Sequence, residues 1–168
     1  SEEPATVRAP AAIDADTVWE GRVVVEQPLT VPAGTTLTVR PGAVVLFQGG
    51  AGIAVLGVLH AEGTPDRPVI FSAEGDALWA GITLMGAAQP SRLQRCRVTG
   101  ARALTIAAGE HVVAHCDISG GTLGIEVTAD DARPILRGNR IHETREGAIR
   151  CVGESAALVE GDTIENCG

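Results

Sequence analysis

A repeat of about 22 residues constrains the fold of this chain more than any other feature. In the second half, a short apolar segment recurs four times and places an aliphatic residue at successive spacings of 20, 23 and 23: Val98, Ile118, Ile141 and Ile164. A second segment shares the period, at 82–84, 104–106, 125–127 and 149–151. Both segments alternate with period two, which is typical of strands, so the chain is predicted to be an array of short strands.

Repeats of this length predict a solenoid whose coils each contain two or three strands. Strands of successive coils would pair in parallel about 4.8 Å apart, so that apolar side chains stack in columns inside. We predict an all-β fold, a right-handed parallel β-helix (solenoid) of about seven coils. Residues 17–168 form this domain, and residues 1–16, rich in Ala, Pro and acidic residues, form an N-terminal tail or cap.

The first coils are predicted at residues 29–47, where Pro32, Gly34, Pro41 and Gly42 turn the chain between strands. The alternation predicts a set of inward-facing residues there and in the next coil: Leu37, Val39, Val44, Leu46, Ile53, Val55, Val69 and Phe71. Trp19 precedes the first coil, where it would cover the open end of the core, and Trp79 precedes Gly81 at a corner. We expect both to pack in the core rather than to stack on a ligand.

The segment 19–84 resembles right-handed parallel β-helix proteins of the pectate-lyase-like class, in particular secreted and surface repeat proteins of bacteria. The resemblance is carried by Trp19 and by residues 31–42, 57–64, 68–71 and 79–82. It implies the fold and a location outside the bacterial cytoplasm: extracellular, on the cell surface or periplasmic. The class includes polysaccharide lyases, hydrolases, adhesins and passenger domains, so the fold alone does not define an activity.

The charge of the chain restricts its partners. The net charge is −8, and all 13 positively charged side chains are arginines. Such a chain has no basic field along which phosphates would gather, so nucleic acid is not an expected partner. No run of about 18 apolar residues predicts a membrane span. The chain opens with SEEPATVRAP, and we expect an export signal to have been removed or left out of this sequence.

Charged residues line up on the predicted outer faces. One row runs Arg97, Asp117, Arg140 and Thr163, and two further pairs set Arg137 beside Glu160 and Glu126 beside Arg150. This alternation favours a surface of ion pairs. The alternative is a binding face for an acidic sugar, in which arginines bind carboxylates in forked geometry. Its residues would be Arg97, His115, Asp117 and Arg140.

The resemblance also implies two enzymatic activities to consider, glycoside hydrolysis and β-elimination of uronates. Hydrolysis needs two carboxyl groups about 5 to 9.5 Å apart, and the adjacent Asp130 and Asp131 lie in a segment that reads as a turn. Elimination needs a base and a cation, commonly calcium, and no acidic cluster supplies the oxygens that calcium requires. We expect no metal site and no cofactor. The alternative function is therefore an enzyme, with a uronate lyase preferred over a glycoside hydrolase.

The cysteines follow the same repeat. Cys96 and Cys116 occupy equivalent inward positions, where stacked buried thiols are expected rather than a disulfide, because parallel side chains rarely reach the required dihedral angle. Cys151 also falls on an inward position, and Cys167 falls in a turn. His115 and Cys116 are neighbours on a predicted strand and would point to opposite faces, which argues against a shared metal ion.

These patterns together predict a non-catalytic, exported structural or adhesive module with weak carbohydrate binding, whose partner is a cell-surface or extracellular polysaccharide. A second alternative is a scaffold subunit that self-associates through its coil ends. Residues 163–168 stop where another glycine-led strand would begin, and a bare last coil exposes sheet edge and core. We expect either that further coils follow Gly168 or that this end docks on a partner.

Overall fold

The computed structural model describes residues 5–86 and 88–168. Within these residues the backbone forms 21 short strands that pair in parallel and wind into a right-handed parallel β-helix of about six turns. The predicted fold is confirmed, and the number of turns is close to the seven coils predicted. The strands form three sheets, which we call sheets A, B and C.

The strands are short and are distributed over the three sheets in a fixed rotation. Sheet A contains β1 (Thr6–Arg8), β3 (Arg22–Val25), β6 (Val44–Phe47), β9 (Val69–Ala73), β12 (Cys96–Thr99), β15 (Asp117–Ser119), β18 (Arg140–His142) and β21 (Thr163–Glu165). Sheet B contains β2 (Thr17–Trp19), β5 (Thr36–Val39), β8 (Val58–Glu62), β11 (Arg92–Gln94), β14 (Val112–Ala114), β17 (Ile135–Arg137) and β20 (Leu158–Glu160). Sheet C contains β4 (Leu29–Val31), β7 (Gly52–Val55), β10 (Gly81–Leu84), β13 (Leu104–Ile106), β16 (Leu123–Val127) and β19 (Gly147–Cys151).

Equivalent strands of successive coils lie in register, as the repeat predicts. One column of paired residues joins the four aliphatic residues that define the period: Val98, Ile118, Ile141 and Ile164. The second repeated segment is likewise paired, strand by strand, from β10 to β19 in sheet C. Because side chains alternate along each strand, this register keeps the same face inward in every coil and produces continuous apolar columns.

The core contains most of the residues predicted to face inward. Six of the eight are buried: Leu37, Val39, Ile53, Val55, Val69 and Phe71. The prediction is wrong for Val44 and Leu46, which lie half-buried on the outer face of β6, whereas Val45 and Phe47 point inward. Residues 43–47 are apolar throughout, so hydrophobicity does not define which of them face inward. Buried Ala43 takes the corner, and one residue of shift moves every following side chain to the other face.

Both tryptophans pack in the core, as predicted. Trp79 is fully buried and stacks on Phe47, with ring centroids 3.9 Å apart and an interplanar angle of 5°. Its indole Nε1 donates a hydrogen bond of 2.8 Å to the carbonyl oxygen of Thr99. Trp19 is also buried, on the inward side of β2. Neither ring is therefore available as a flat platform for a sugar.

The two ends of the β-helix differ from its middle. Near the N-terminus, β1 pairs with β3 and Ile13 is buried against the core, so this segment contacts the first coil. At the other end, β20 and β21 are exposed along their whole length. Cys151 is in register with buried Val127, as its predicted inward position requires, but it is exposed because β19 is the outermost strand of sheet C.

Candidate functional site

The four residues predicted to form a binding face lie on the outer side of sheet A and at its corner with sheet B. Arg97, Asp117 and Arg140 occupy one outward column in β12, β15 and β18, with each residue paired to the next. His115 lies in the corner between β14 and β15. The repeat therefore placed three of these side chains side by side, as the sequence predicted.

A shallow depression of about 230 Å³ brings part of this group together. It is lined by Thr64, Pro65, Pro68, Arg95, Cys96, Arg97, His115 and Asp117. The segment 64–68, which connects β8 to β9, supplies one wall, and the B-to-A corners of the next two coils supply the rest. Arg140 is not part of the lining, so the depression holds three of the four predicted residues.

His115 reaches the surface because of its backbone conformation. Its φ is 52°, in the left-handed region, and its side chain is exposed, whereas the Cys116 side chain is buried. The expected separation of the two side chains is correct, but the cause is a left-handed corner rather than strand alternation. The imidazole lies over Gly138, where a Cβ atom would come within 2.6 Å of Nδ1. Gly138 therefore leaves the space that the His115 ring occupies.

Asp117 is bound on both of its carboxylate oxygens by other side chains. His142 Nε2 lies 2.8 Å from Asp117 Oδ1, and Arg140 Nη1 lies 3.6 Å from Oδ2. Arg140 also donates to Glu165 Oε2 at 2.9 Å, and Glu165 and Asp117 together raise the pKa of Arg140. Asp117 is consequently unsuited to act as a free base, and Arg140 is occupied by carboxylates of its own chain.

The predicted ion pairs form at three places. Arg140 pairs with Asp117, Arg137 Nη2 lies 3.0 Å from Glu160, and Arg150 pairs with Glu126. These side chains are mostly exposed, so solvent screens the pairs and they contribute little to stability. Arg97 is in register with Asp117, but no salt bridge joins them within the described part of the chain.

Two arginines at the depression remain open to a ligand. Among the residues that the structure describes, neither Arg95 nor Arg97 forms an ion pair. Arg95 occupies a left-handed corner with φ of 54°, one coil before the equivalent corner at His115. Two guanidinium groups and an imidazole thus border one depression, and this combination suits a carboxylate-bearing ligand.

A polar ladder inside the coil supports these corners. Asn139 is buried, accepts a hydrogen bond of 2.9 Å from the Cys116 backbone N–H and donates one of 2.9 Å to the Val113 carbonyl oxygen. Asp162 in turn accepts a hydrogen bond of 2.8 Å from the Asn139 N–H. Buried backbone groups at the corners are satisfied in this way, which fixes the positions of the exposed residues beside them.

Cys96 and Cys116 continue the ladder into the preceding coils as free buried thiols. The Cys96 thiol lies 3.2 Å from the carbonyl oxygen of Ala61. The neighbouring Cys116 side chain and burial raise the pKa of Cys96 well above its ordinary value. The Cys96 thiol therefore behaves as a small apolar side chain of the core, and Cys116 is buried beside it.

Sequence reasoning did not identify Arg95, His142 or Glu165. Arg95 precedes Cys96 at a position that reads as the end of a strand, and nothing in its neighbours signals a left-handed corner. His142 and Glu165 carried a usable signal, because they are 23 residues apart and paired in β18 and β21. Extending the charged rows by one outward column would have found both residues.

The segment around Asp130 and Asp131 forms a turn, as predicted. Asp130 Oδ1 accepts a hydrogen bond of 2.9 Å from the Glu154 N–H, and the Asp130 carbonyl accepts one of 2.6 Å from Arg133. Within 5–86 and 88–168, no three His, Cys, Asp or Glu side chains converge as metal ligands would. The same ranges contain no helix of a length and apolarity suited to crossing a bilayer.

Comparison with protein-family models, with curated proteins and with solved structures gives no match to this chain. The resemblance of residues 19–84 to exported bacterial repeat proteins of the pectate-lyase-like class thus stays a prediction. The parallel β-helix itself is shown by the strand pairing alone.

Proposed function

We propose that this protein is a non-catalytic structural module that binds acidic carbohydrate weakly at the depression beside Arg95, Arg97 and His115. The observation that carries the proposal is the pair of arginines without ion-pair partners among the described residues, on one wall of a shallow depression. Guanidinium groups bind carboxylates through two parallel hydrogen bonds, so a uronate is the sugar that suits them.

The size of the depression supports weak contact. Its volume of about 230 Å³ is below the range of roughly 300 to 1,000 Å³ in which small molecules are usually enclosed. An open surface of this size contacts one part of a long polymer and leaves the remainder in solvent. Weak sites of this kind gain strength when many of them engage one polymer.

Asp117 favours binding over turnover, because its carboxylate oxygens are already occupied by side chains of the same protein. Among the described residues it is the only carboxylate in the lining of the depression, and His142 and Arg140 hold both of its oxygens. A glycoside hydrolase needs a second carboxyl group across the scissile bond, and the described lining of the depression supplies none. A uronate lyase would have to use His115 as its base. The support for a structural role is the continuous buried interior, which makes the coil a rigid spacer.

A location outside the bacterial cytoplasm belongs to the same proposal. Its support is the resemblance of residues 19–84 to exported repeat proteins, together with a ligand class found on cell surfaces. Expression with and without an export signal, followed by fractionation and a test for folded protein, checks this part separately.

The binding test uses polygalacturonate, its fully methyl-esterified form and a neutral glucan, with affinity measured by titration calorimetry or NMR. We expect binding to polygalacturonate only. Arg97→Gln should lower the affinity about tenfold, since a hydrogen bond to a charged group contributes about 1.5 kcal/mol. Arg102→Gln is the matched control, because Arg102 is exposed, lies outside the depression and makes no ion pair with a described residue.

Two results would contradict the proposal. Equal binding of the esterified and acidic polymers would show that the arginines do not recognise carboxylates. Release of unsaturated uronates or of new reducing ends from the same polymers, abolished by a substitution at Asp117, would show that the module is an enzyme.

A further inference from the structure

The corner between sheets B and A carries a second depression, separated by segment 64–68 from the first depression, which holds Arg97. Its volume is about 380 Å³, and it is lined by Glu20, Gly21, Arg40, Pro41 and Arg67. Segment 64–68 supplies Thr64, Pro65 and Pro68 to the first depression and Arg67 to the second. One short segment therefore forms a wall that the two depressions share.

The backbone of Arg67 is fixed at the edge of the second depression. Its carbonyl oxygen accepts hydrogen bonds from the Thr64 N–H at 3.0 Å and from the Gly42 N–H at 3.1 Å, and its own N–H donates to Thr64 Oγ1 at 3.0 Å. The guanidinium lies over Gly42, where a Cβ atom would come within 2.9 Å of Nε and Nη2. Since Gly42 also has a positive φ of 81°, glycine provides both the turn and the space for this side chain.

Gly42 and Gly138 have the same role at the two depressions. Each is a glycine of the B-to-A corner with positive φ, and each leaves room for the head group of a residue one coil away, Arg67 over Gly42 and His115 over Gly138. Arg67 belongs to the coil after Gly42, and His115 belongs to the coil before Gly138. The same local geometry therefore positions a nitrogen-bearing head group at each depression.

A row of nitrogen-bearing side chains follows this corner from coil to coil. Arg40, Arg67, Arg95 and His115 occupy the corner in four successive coils, and Arg97 lies beside it in β12. Strands of neighbouring coils are about 4.8 Å apart, so the row extends over roughly 14 Å parallel to the axis of the β-helix. A row of this length can contact several acid groups of one linear polymer, whereas a single acid group contacts one depression.

Arg67 has no ion-pair partner among the residues that the structure describes. The other arginine of the second depression is loosely paired, since Arg40 Nε lies 3.7 Å from Glu20 Oε2 and both of these side chains are largely exposed. Asp66, next to Arg67 in the chain, is also exposed. Two guanidinium groups thus border the second depression against one carboxylate of its lining, the same balance as in the first depression.

We propose that the second depression is a further binding site for the same acidic polymer, so that one polyuronate chain lies along the B-to-A corner and contacts both Arg97 and Arg67. This inference rests on the proposed function, because it assigns the same class of ligand to the neighbouring depression. Pairs of guanidinium groups bind carboxylates in forked geometry, which accounts for the choice of ligand. Two weak sites that engage one chain bind it more tightly than either site alone, since the second contact is intramolecular.

Galacturonate and its hexamer test this arrangement, with affinity and stoichiometry measured by titration calorimetry and the arginine side-chain N–H signals followed by NMR. The monomer should bind weakly at both depressions, so the signals of Arg67 and Arg97 should titrate independently. The hexamer should bind as one chain per protein. Both signals should then shift with a single midpoint, at a ligand concentration at least about tenfold lower than for the monomer.

Three substitutions show which side chains account for the gain in affinity. Arg67→Gln should lower the affinity for the hexamer about tenfold, the loss expected for a hydrogen bond to a charged group, and should leave the monomer site at Arg97 unchanged. Glu20→Gln should raise the affinity for the hexamer about two- to fivefold, because it removes a carboxylate that repels the ligand and competes for Arg40. Loss of folding cannot produce such a gain. Arg102→Gln is the matched control, because Arg102 is exposed at an A-to-C corner outside both depressions.

The possible outcomes separate this inference from the proposed function. A hexamer affinity that Arg97→Gln lowers and Arg67→Gln leaves unchanged would overturn the second site while the proposed function stands. Equal affinity for the monomer and the hexamer, or separate midpoints for the two arginine signals in the hexamer titration, would show that no single chain contacts both depressions. Failure of the unchanged protein to bind polygalacturonate at all would contradict both proposals.

Discussion

The outer face of sheet A is mainly apolar around β6 and β9 and charged from β12 onward. In β3, β6 and β9 its outward residues include Val24, Val44, Leu46 and Ile70, all buried or half-buried. From β12 onward the same outward columns carry the residues that form or border the candidate site: Arg97, Asp117, Arg140, His142 and Glu165. One backbone repeat therefore serves two different surfaces.

The interior differs between the same two regions. Four aromatic residues fill the N-terminal coils: Trp19, Phe47, Phe71 and Trp79. The later coils have an aliphatic interior, with buried polar groups at the B-to-A corner such as Asn139. Aromatic volume therefore fills the interior of the first half, whereas satisfied polar corners fix the second half, which contributes most of the candidate site.

The largest effect is expected from Trp79→Ala. This substitution removes a fully buried ring that stacks on Phe47 and should lower the free energy of unfolding by about 3 to 5 kcal/mol. Urea unfolding followed by circular dichroism measures it, and Thr105→Ala on the outer face of β13 is a control expected to change little. A loss below about 1 kcal/mol would contradict the assigned role of aromatic volume.

An intermediate effect is expected from Asn139→Leu. The change leaves the Cys116 N–H and the Val113 carbonyl without partners, at a cost of about 1 to 3 kcal/mol. Hydrogen exchange should show the loss concentrated in the later coils, while the coils around Trp79 keep their protection. The milder Asp162→Asn retains an acceptor for the Asn139 N–H, so it should cost less; an equal loss would show that the ladder acts only through packing.

The smallest effect is expected from titration of His111. Burial lowers the pKa of this histidine, while the backbone near Gly86 and Ala108 offsets part of the shift. Nδ1 accepts a hydrogen bond of 2.8 Å from the Ser91 N–H, and protonation of that nitrogen removes the bond. Because the folded-state pKa lies below the unfolded value of about 6.5, the contribution to stability is complete above that pH and is lost as the pH falls below it.

Unfolding measured between pH 8 and pH 5 checks this prediction against His111→Gln, which has no titrating ring. The unchanged protein should lose more stability over that interval than the variant does. Parallel pH profiles for the two proteins would assign the acid sensitivity to other groups.

Much of the candidate site followed from spacing alone. Arg97, Asp117 and Arg140 could be placed in one column because the repeat defines which residues lie a coil apart, and the register confirms that placement. Arg95 could not be found in this way. Its exposure beside the depression depends on a left-handed corner, and an arginine at that position carries no local signal for positive φ.

The inward-facing side of β6 is a second feature that the sequence alone did not define. Alternating polar residues marked Leu37 and Val39 as inward, but the unbroken apolar run 43–47 is compatible with either face. The corner at Ala43 selected Val45 and Phe47 for the core, because Phe47 must meet Trp79 from the next coil. Contacts between residues distant in sequence therefore decide which face of β6 points inward, because the local pattern fits both faces.

The period of aliphatic residues was sufficient to specify a coil and the pairing of neighbouring repeats, since equal spacing stacks equivalent positions, whereas the number of three sheets came from the folded structure. Only the folded structure shows which side chains of the outer face contact each other. Asp117 turned from a candidate ligand group into the centre of an ion-pair cluster because His142, 25 residues away, reaches it diagonally across the sheet. Spacing counts residues along one column, whereas a diagonal contact depends on side-chain length and direction, which only packing establishes.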